Sequence, residues 1–171
     1  HKIGDVGAWP YAEVISGYTS FYLGVKSIVS DVTMDVKYTS SWYDENLEKN
    51  TAKALIDGGC KLISQHADSW GAPTACEDAG VPNVSYNGTT DSKCPNTFVI
   101  SSLINWQPYF ERCCSLVKQG NTITEDFGYD YDGELDNCVE LTTLGAKATE
   151  GLNIQAKLDE VKKDLKAGKT K

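Results

Sequence analysis

The sequence is poor in the residues that form metal centres and in clusters of positive charge. Only two of its 171 residues are histidines, and none of the six cysteines forms a C-x-x-C pair, so we expect no structural zinc site. The formal charge is −8, whereas affinity for nucleic acid comes mainly from clustered Lys and Arg. The one basic stretch, Lys157–Lys171, is interrupted by acidic residues. We therefore expect no metal, no other cofactor and no nucleic-acid partner.

Long apolar runs are also missing. No stretch is long enough to span a bilayer, and the sequence shows neither an initiator Met nor the hydrophobic region of a signal peptide. The chain begins at His1, inside its first predicted strand, so we expect a mature product or a piece of a longer protein. Its 40% hydrophobic and 23% charged residues are globular values, and the length fits one ordinary domain.

An alternation of strand-like and helical segments fills the first 120 residues. Such alternation predicts a parallel sheet with right-handed crossovers and helices on both faces. The predicted strands are Lys2–Ala8, Val32–Thr39, Cys60–Gln65, Val81–Tyr86 and Thr97–Ile104. We expect an α/β three-layer sandwich with a mostly parallel sheet of about five strands, the first three of which are neighbours.

We interpret residues 1–171 as a single α/β domain. Residues 97–120 could instead form a crossover segment to a second lobe. Residues 121–171 are less regular, with a short strand at Cys138–Thr143 and an amphipathic helix at the end. The inward stripe of that helix would be Ile154, Leu158, Val161 and Leu165.

Each of the four tryptophans follows a strand-like run: Trp9, Trp42, Trp70 and Trp106. Because the carboxyl ends of parallel strands converge on one edge of a sheet, we expect the rings to form a wall that stacks on a flat ligand. Neighbouring carboxylates would accept hydrogen bonds from that ligand: Asp44, Asp68 and Asp91. The alternative is that each ring merely covers the end of the core.

The densest polar cluster is Gln65–Trp70. A hydrolase would use His66 as a base, Asp68 to orient it and Ser69 or a cysteine as a nucleophile. Residues two positions apart rarely hold each other in triad geometry, however, and Ser69 lacks a G-x-S-x-G setting. Binding requires only hydrogen bonds from the same three side chains. We favour binding and predict no catalytic residue.

The even number of cysteines fits disulfides in an oxidising compartment, although six reduced, buried thiols are the alternative. We expect a bridge between Cys60 and Cys76, which would close a loop of about 15 residues and contribute about 3 kcal/mol. Cys113 and Cys114 point to different sides of their helix, so at most one faces the core. The other would pair with Cys94 or Cys138, a choice that the sequence leaves open.

Two sequons, at Asn83 and Asn87, are compatible with a secreted eukaryotic protein. Together with the cysteines they predict an extracellular or periplasmic location.

Seven groups of residues, taken in order along the chain, resemble one known family. They are Lys2–Gly4 with Val6–Ala8, Glu13–Gly17, Ser41–Asp44, Ala54–Gly59, Gln65–Ser69, Tyr86-Asn87 and Asn105–Tyr109. The family is the basic membrane protein group of substrate-binding lipoproteins, which serve ABC-type importers. The groups span almost the whole chain, so the resemblance is fairly specific.

The resemblance implies a type I periplasmic-binding-protein fold, in which two α/β lobes close over a nucleoside or purine base. Carried over by position, Trp42 and Trp106 would stack on or enclose the base, and Trp9 lies where the family often has another aromatic residue. The side chains that would supply hydrogen bonds are Asp44, His66, Asp68 and Asn87. In a bacterium, the partner would be an ABC-type permease.

The sequence departs from the family in two respects. The match corresponds to the latter half of such a protein, without the first lobe, and six cysteines are not a family trait. One reading is a solute-binding protein or a fragment of one, lipid-anchored through a missing part. The other is an extracellular structural or interaction protein that keeps the lobe, has lost transport and covers its exposed apolar surface with another chain.

Overall fold

The computed structural model describes residues 1–123, 138–167 and 169. The strands are β1 Lys2–Gly7, β2 Thr33–Tyr38, β3 Ile63–His66, β4 Asn83–Tyr86, β5 Phe98–Ile104 and β6 Val139–Leu141. The helices are α1 Ala12–Ile28, α2 Glu45–Asp57, α3 Gly71–Ala79, α4 Gln107–Lys118 and α5 Ile154–Lys166.

The sheet has the strand order β2-β1-β3-β4-β5-β6. β1 is parallel to both β2 and β3, with Gly4 opposite Asp35 and Ile63, and β3 is parallel to β4. The predicted α/β fold and its three neighbouring parallel strands are therefore confirmed. The short β6 is antiparallel to β5, so the sheet is mostly, but not entirely, parallel.

Helices cover both faces of the sheet around β1. A side chain at Gly4 would meet Leu55 of α2, whereas one at Gly7, an odd number of residues away, would meet Val14 of α1. The main core lies on the side of α2 and α3. It consists of Val6, Ala52, Leu55, Cys60, Ile63, Ala72, Ala75 and Cys76.

The caps of α2 and α3 define where the connecting segments lie. Asp44 caps α2, because its side chain accepts a hydrogen bond from the N–H of Leu47 at 2.9 Å. Gly80 ends α3 in the left-handed conformation, with φ 66°, and returns the chain to the sheet. The cap at Asp44 thereby fixes where the segment between β2 and α2 ends.

The chain divides into two compact units. The first comprises His1–Ser101 and Thr142–Glu150, and the second comprises Ser102–Leu141 and Gly151–Lys171. Every predicted site residue except Trp106 belongs to the first unit. The single domain and the crossover at 97–120 stay predictions, and residues 124–137 of the less regular part lie outside the described residues.

All six cysteines are free thiols in the structure, so the predicted bridge between Cys60 and Cys76 is not present. Both side chains pack in the apolar core, where cysteine acts as a small hydrophobic residue. Burial raises the pKa of Cys76 to about 12, and the charge of Cys94 adds to this shift. As expected of their helix positions, Cys113 is buried and Cys114 is exposed; Cys138 is half-buried and unpaired.

The two sequons differ in their surroundings. Asn83 is fully buried, donates a hydrogen bond to the carbonyl of Ile63 at 3.1 Å and accepts one from the hydroxyl of Ser85 at 2.7 Å. A glycan on Asn83 is therefore incompatible with this fold. Asn87 is exposed. In the described part of the chain, no helix has the length and apolarity needed to cross a membrane.

Candidate functional site

Three aromatic rings form a row at the carboxyl edge of β1 and β2. The rings of Trp9 and Tyr11 lie 6.0 Å apart at an interplanar angle of 16°, and Tyr11 lies 6.0 Å from Trp42 at 39°. Tyr11 and Trp42 are 55% and 39% exposed. Stacked rings with this much open surface can take a flat ligand against them.

His66, the last residue of β3, lies beneath α1. Its ring centroid is 4.3 Å from that of Tyr86, and its Nε2 atom lies 3.9 Å from Oε1 of Glu13. A Cβ at Gly17 would overlap Nδ1 of His66, so glycine leaves room for the ring. Burial lowers the pKa of His66, although Glu13 and Asp68 act in the opposite direction.

Acidic groups surround this histidine. Burial raises the pKa of Asp68; His66 opposes this shift and Glu13 adds to it. Burial, and then the charges of Glu13 and Asp68, likewise raises the pKa of Tyr86. The N–H of Asp68 donates to the carbonyl of Trp42 at 2.9 Å, which ties the acidic group to the aromatic row. The arrangement suits a ligand with N–H or O–H donors.

Other predicted residues have structural bonds of their own. Ser69 is 1% exposed, and its hydroxyl accepts from the N–H of Gly71 at 3.1 Å. Asp44 serves as the cap of α2. Asn87 takes the left-handed conformation, φ 49°, directly after β4. The direct ligand contacts predicted for these three residues stay predictions.

The other two tryptophans have ring contacts of their own. Trp70 precedes α3 and carries the ammonium group of Lys93 at 5.8 Å from its ring. Trp106, in the second unit, is 54% exposed. Its ring centroid lies 6.0 Å from those of Tyr109 and Phe110.

Asp91, the third carboxylate predicted to bind ligand, accepts a hydrogen bond from the hydroxyl of Thr89 at 2.6 Å. Among the described residues, no group of His, Cys, Asp and Glu could hold a metal ion.

Three residues of the site were not predicted as such: Tyr11, Glu13 and Tyr86. Tyr11 and Glu13 begin the helix after β1, and the first turn of such a helix lies at the same edge as the carboxyl end of its strand. Position in the motif would therefore have identified them. Tyr86, the last residue of β4, occupies the same edge for the same reason.

A family model for the PnrA-like ABC transporter substrate-binding proteins matches residues 1–164. The chain belongs to this family. It is 35% identical over 107 residues to a purine-binding protein of Brucella abortus, an alignment that covers 63% of this chain and 31% of the relative. It is 30% identical over 127 residues to a putative ABC transporter glucose-binding protein of Haloferax volcanii, with coverages of 74% and 32%.

Solved solute-binding proteins share the fold. An ABC transporter solute-binding protein from Conexibacter woesei superimposes with a TM-score of 0.75 at 19% identity, over 99% of this chain and 56% of that one. One from Aeropyrum pernix gives a TM-score of 0.74 at 16% identity, with the same coverages. The chain thus spans about a third of the length of these curated relatives and about half of these solved structures.

Proposed function

We propose that this chain takes part in non-catalytic binding of a small planar metabolite, a purine base or nucleoside, as a solute-binding protein or part of one. The observation that carries the proposal is the open row Trp9–Tyr11–Trp42 beside the acidic groups of Glu13 and Asp68. The rings would stack on the base, and the carboxylates would accept from its amino group or from ribose hydroxyls. Similarity to a purine-binding protein supports the same ligand class.

Family membership favours solute binding over the alternative of a structural or interaction protein. We propose an extracellular or periplasmic location, because substrate-binding proteins of ABC importers act there, and an ABC-type permease as partner in a bacterial cell. The solved structures are nearly twice as long as this chain. A second lobe in a full-length protein would cover the other face of the ligand, so we expect this chain alone to bind weakly.

Weak binding is best observed at the rings themselves. Adenosine, guanosine, inosine, hypoxanthine and glucose would be titrated into labelled protein while NMR records the four tryptophan indole N–H signals. We expect the purines to shift the signals of Trp9 and Trp42. Shifts caused by glucose and by none of the purines would replace the purine assignment with a sugar. If no ligand shifts any of the four signals, in this chain or in a full-length protein that contains it, binding at this edge is refuted.

Substitutions locate the site. Since stacking on one base is worth about 1–3 kcal/mol, Trp42→Ala and Tyr11→Ala should each weaken purine binding by about tenfold or more. Tyr22→Leu, nearer the other end of α1, is the matched aromatic control and should leave affinity unchanged. Equal losses in all three variants would indicate a general effect on folding instead of stacking.

A further inference from the structure

Two irregular segments carry the central side chains of the site. Residues 39–44 connect β2 to α2 and carry Trp42, and residues 67–70 connect β3 to α3 and carry Asp68. One backbone hydrogen bond joins them directly, from the N–H of Asp68 to the carbonyl of Trp42. Because Trp42 and Asp68 lie outside the strands and helices, their relative position depends on such individual contacts.

A single side chain bonds to the backbone of both segments. Glu48 lies one turn inside α2 and is fully buried. Its Oε1 atom accepts from the N–H of Ser69 at 3.1 Å and from the N–H of Asp44 at 3.3 Å, and its Oε2 lies 3.2 Å from the same N–H of Ser69. The carboxylate therefore bridges the segment after β2 and the segment after β3.

Packing alone does not account for a carboxylate at this position. Burial raises the pKa of Glu48, whereas the hydrogen bonds from Ser69 and Asp44 lower it. A buried charge is costly unless it is hydrogen-bonded, and an apolar side chain would fill the same space without that cost. What the carboxylate adds is acceptors for two backbone N–H groups, a buried one at Ser69 and a partly buried one at Asp44.

The second segment is also bonded to the strand before it and to α3, which follows it. Nε2 of Gln65 donates to the carbonyls of Ala67 and Ser69 at 2.9 and 3.1 Å. Glu48 adds a hydrogen bond from Ser69 to α2. Helices α2 and α3 also approach each other closely at their first residues, because a Cβ at Gly71 would overlap the carbonyl oxygen of Glu45. The first residues of α2 and α3 thus lie close together.

We propose that Glu48 is a positioning residue of the site. Its carboxylate holds residues 39–44 and residues 67–70 in a fixed relative position, so that the ring of Trp42 and the carboxylate of Asp68 face one ligand. The part that concerns the ligand rests on the proposed function. The bridging of the two segments does not, and it can be tested separately.

The first test is NMR-detected amide exchange in Glu48→Gln. The amide has the same shape, but it offers one acceptor oxygen and turns an NH2 group toward a backbone N–H. We expect exchange at Ser69 and Asp44 to accelerate by about tenfold, as for the loss of a hydrogen bond to a charged group. The control is Ala52→Gly, one turn further along α2 and equally buried, which loosens the helix without touching either segment. Should Glu48→Gln fail to fold, Glu48→Asp keeps the charge, shortens the reach and should accelerate the same amides.

The second test is the dissociation constant for guanosine, measured in the same variants. Glu48→Gln should raise it by about tenfold, and Ala52→Gly should leave it near the wild-type value. Unchanged exchange at Ser69 and Asp44, or the same acceleration in Ala52→Gly, would overturn the bridge. Faster exchange with unaltered affinity would overturn the positioning role. Faster exchange in Glu48→Gln, when neither this wild-type chain nor a full-length protein that contains it binds a purine, would leave the bridge standing and refute the proposed purine binding.

Discussion

Asp5 lies in the middle of β1 and is only 1% exposed. Its Oδ1 atom accepts a hydrogen bond from the hydroxyl of Ser64 at 2.5 Å, whereas Oδ2 has no hydrogen-bond partner in the part of the chain that the structure describes. Burial raises the pKa of Asp5 from 3.8 to about 6, although the bond from Ser64 acts in the opposite direction. The folded protein therefore holds this proton more tightly than the unfolded chain does.

The sign of the pH dependence follows from that difference. The stability that a protonated Asp5 contributes is fully present below about pH 3.8 and is lost as the pH rises through about 6. At about 1.4 kcal/mol per pKa unit, the total loss is about 3 kcal/mol, of which about 2 kcal/mol falls between about pH 4.5 and about pH 7.5. Asp5→Asn removes the titration and keeps an oxygen for Ser64.

The assay is urea unfolding of the wild type and of Asp5→Asn across this pH range. Any packing cost of the substitution is the same at every pH, and other titrating groups cancel between the two proteins. The free energy of unfolding of Asp5→Asn, relative to the wild type, should therefore rise by about 2 kcal/mol from about pH 4.5 to about pH 7.5. A flat difference for Asp5→Asn would refute the reasoning.

Two further predictions concern packing and thiol access. Gly17→Ala should lower the free energy of unfolding by about 1–3 kcal/mol, because its Cβ would overlap the ring of His66; Gly24→Ala, in the same helix and with open space around it, should raise it by about 1 kcal/mol. Shifts of the same sign in thermal or urea unfolding would contradict this. Brief alkylation of native protein, read by mass spectrometry, should label the exposed Cys114 first and spare the four buried thiols until denaturant is added, namely Cys60, Cys76, Cys94 and Cys113. A native mass reduced by disulfide formation would contradict the free thiols.

The fold was predictable because its local signals agree with its tertiary contacts. The β-branched run around Val32–Thr39, the cap at Asp44 and the glycines at 58 and 59 each marked a boundary within a few residues of the observed one. The cysteines were not predictable in the same way. Whether Cys60 and Cys76 meet depends on which face of α3 turns inward, and the apolar pattern of a short helix does not distinguish a buried thiol from a bridged one.

The site was partly predictable, since topology alone brings the ends of β1, β2 and β3 to one edge. Trp9, Trp42, His66 and Asp68 therefore gather there. Glu48 could not be identified from its position, because a glutamate one turn into an amphipathic helix is most often a solvated residue. Its burial depends on a three-dimensional detail, the two backbone N–H groups that converge on it, and no spacing along the chain encodes that.

The two faces of the sheet differ in polarity. Val6 and Ile63 point to α2 and α3, where apolar side chains make up the core. Residues an odd number of positions away in the same strands point to the other face, where Asp5 and Ser64 form a buried polar pair and His66 lies under α1. Polar groups that are poorly solvated destabilise that face, and the apolar face offsets their cost. Removing the buried charge of Asp5 should therefore stabilise the unit without altering the aromatic row. The Asp5 carboxylate bonds to Ser64 and to none of the rings that we propose to contact ligand.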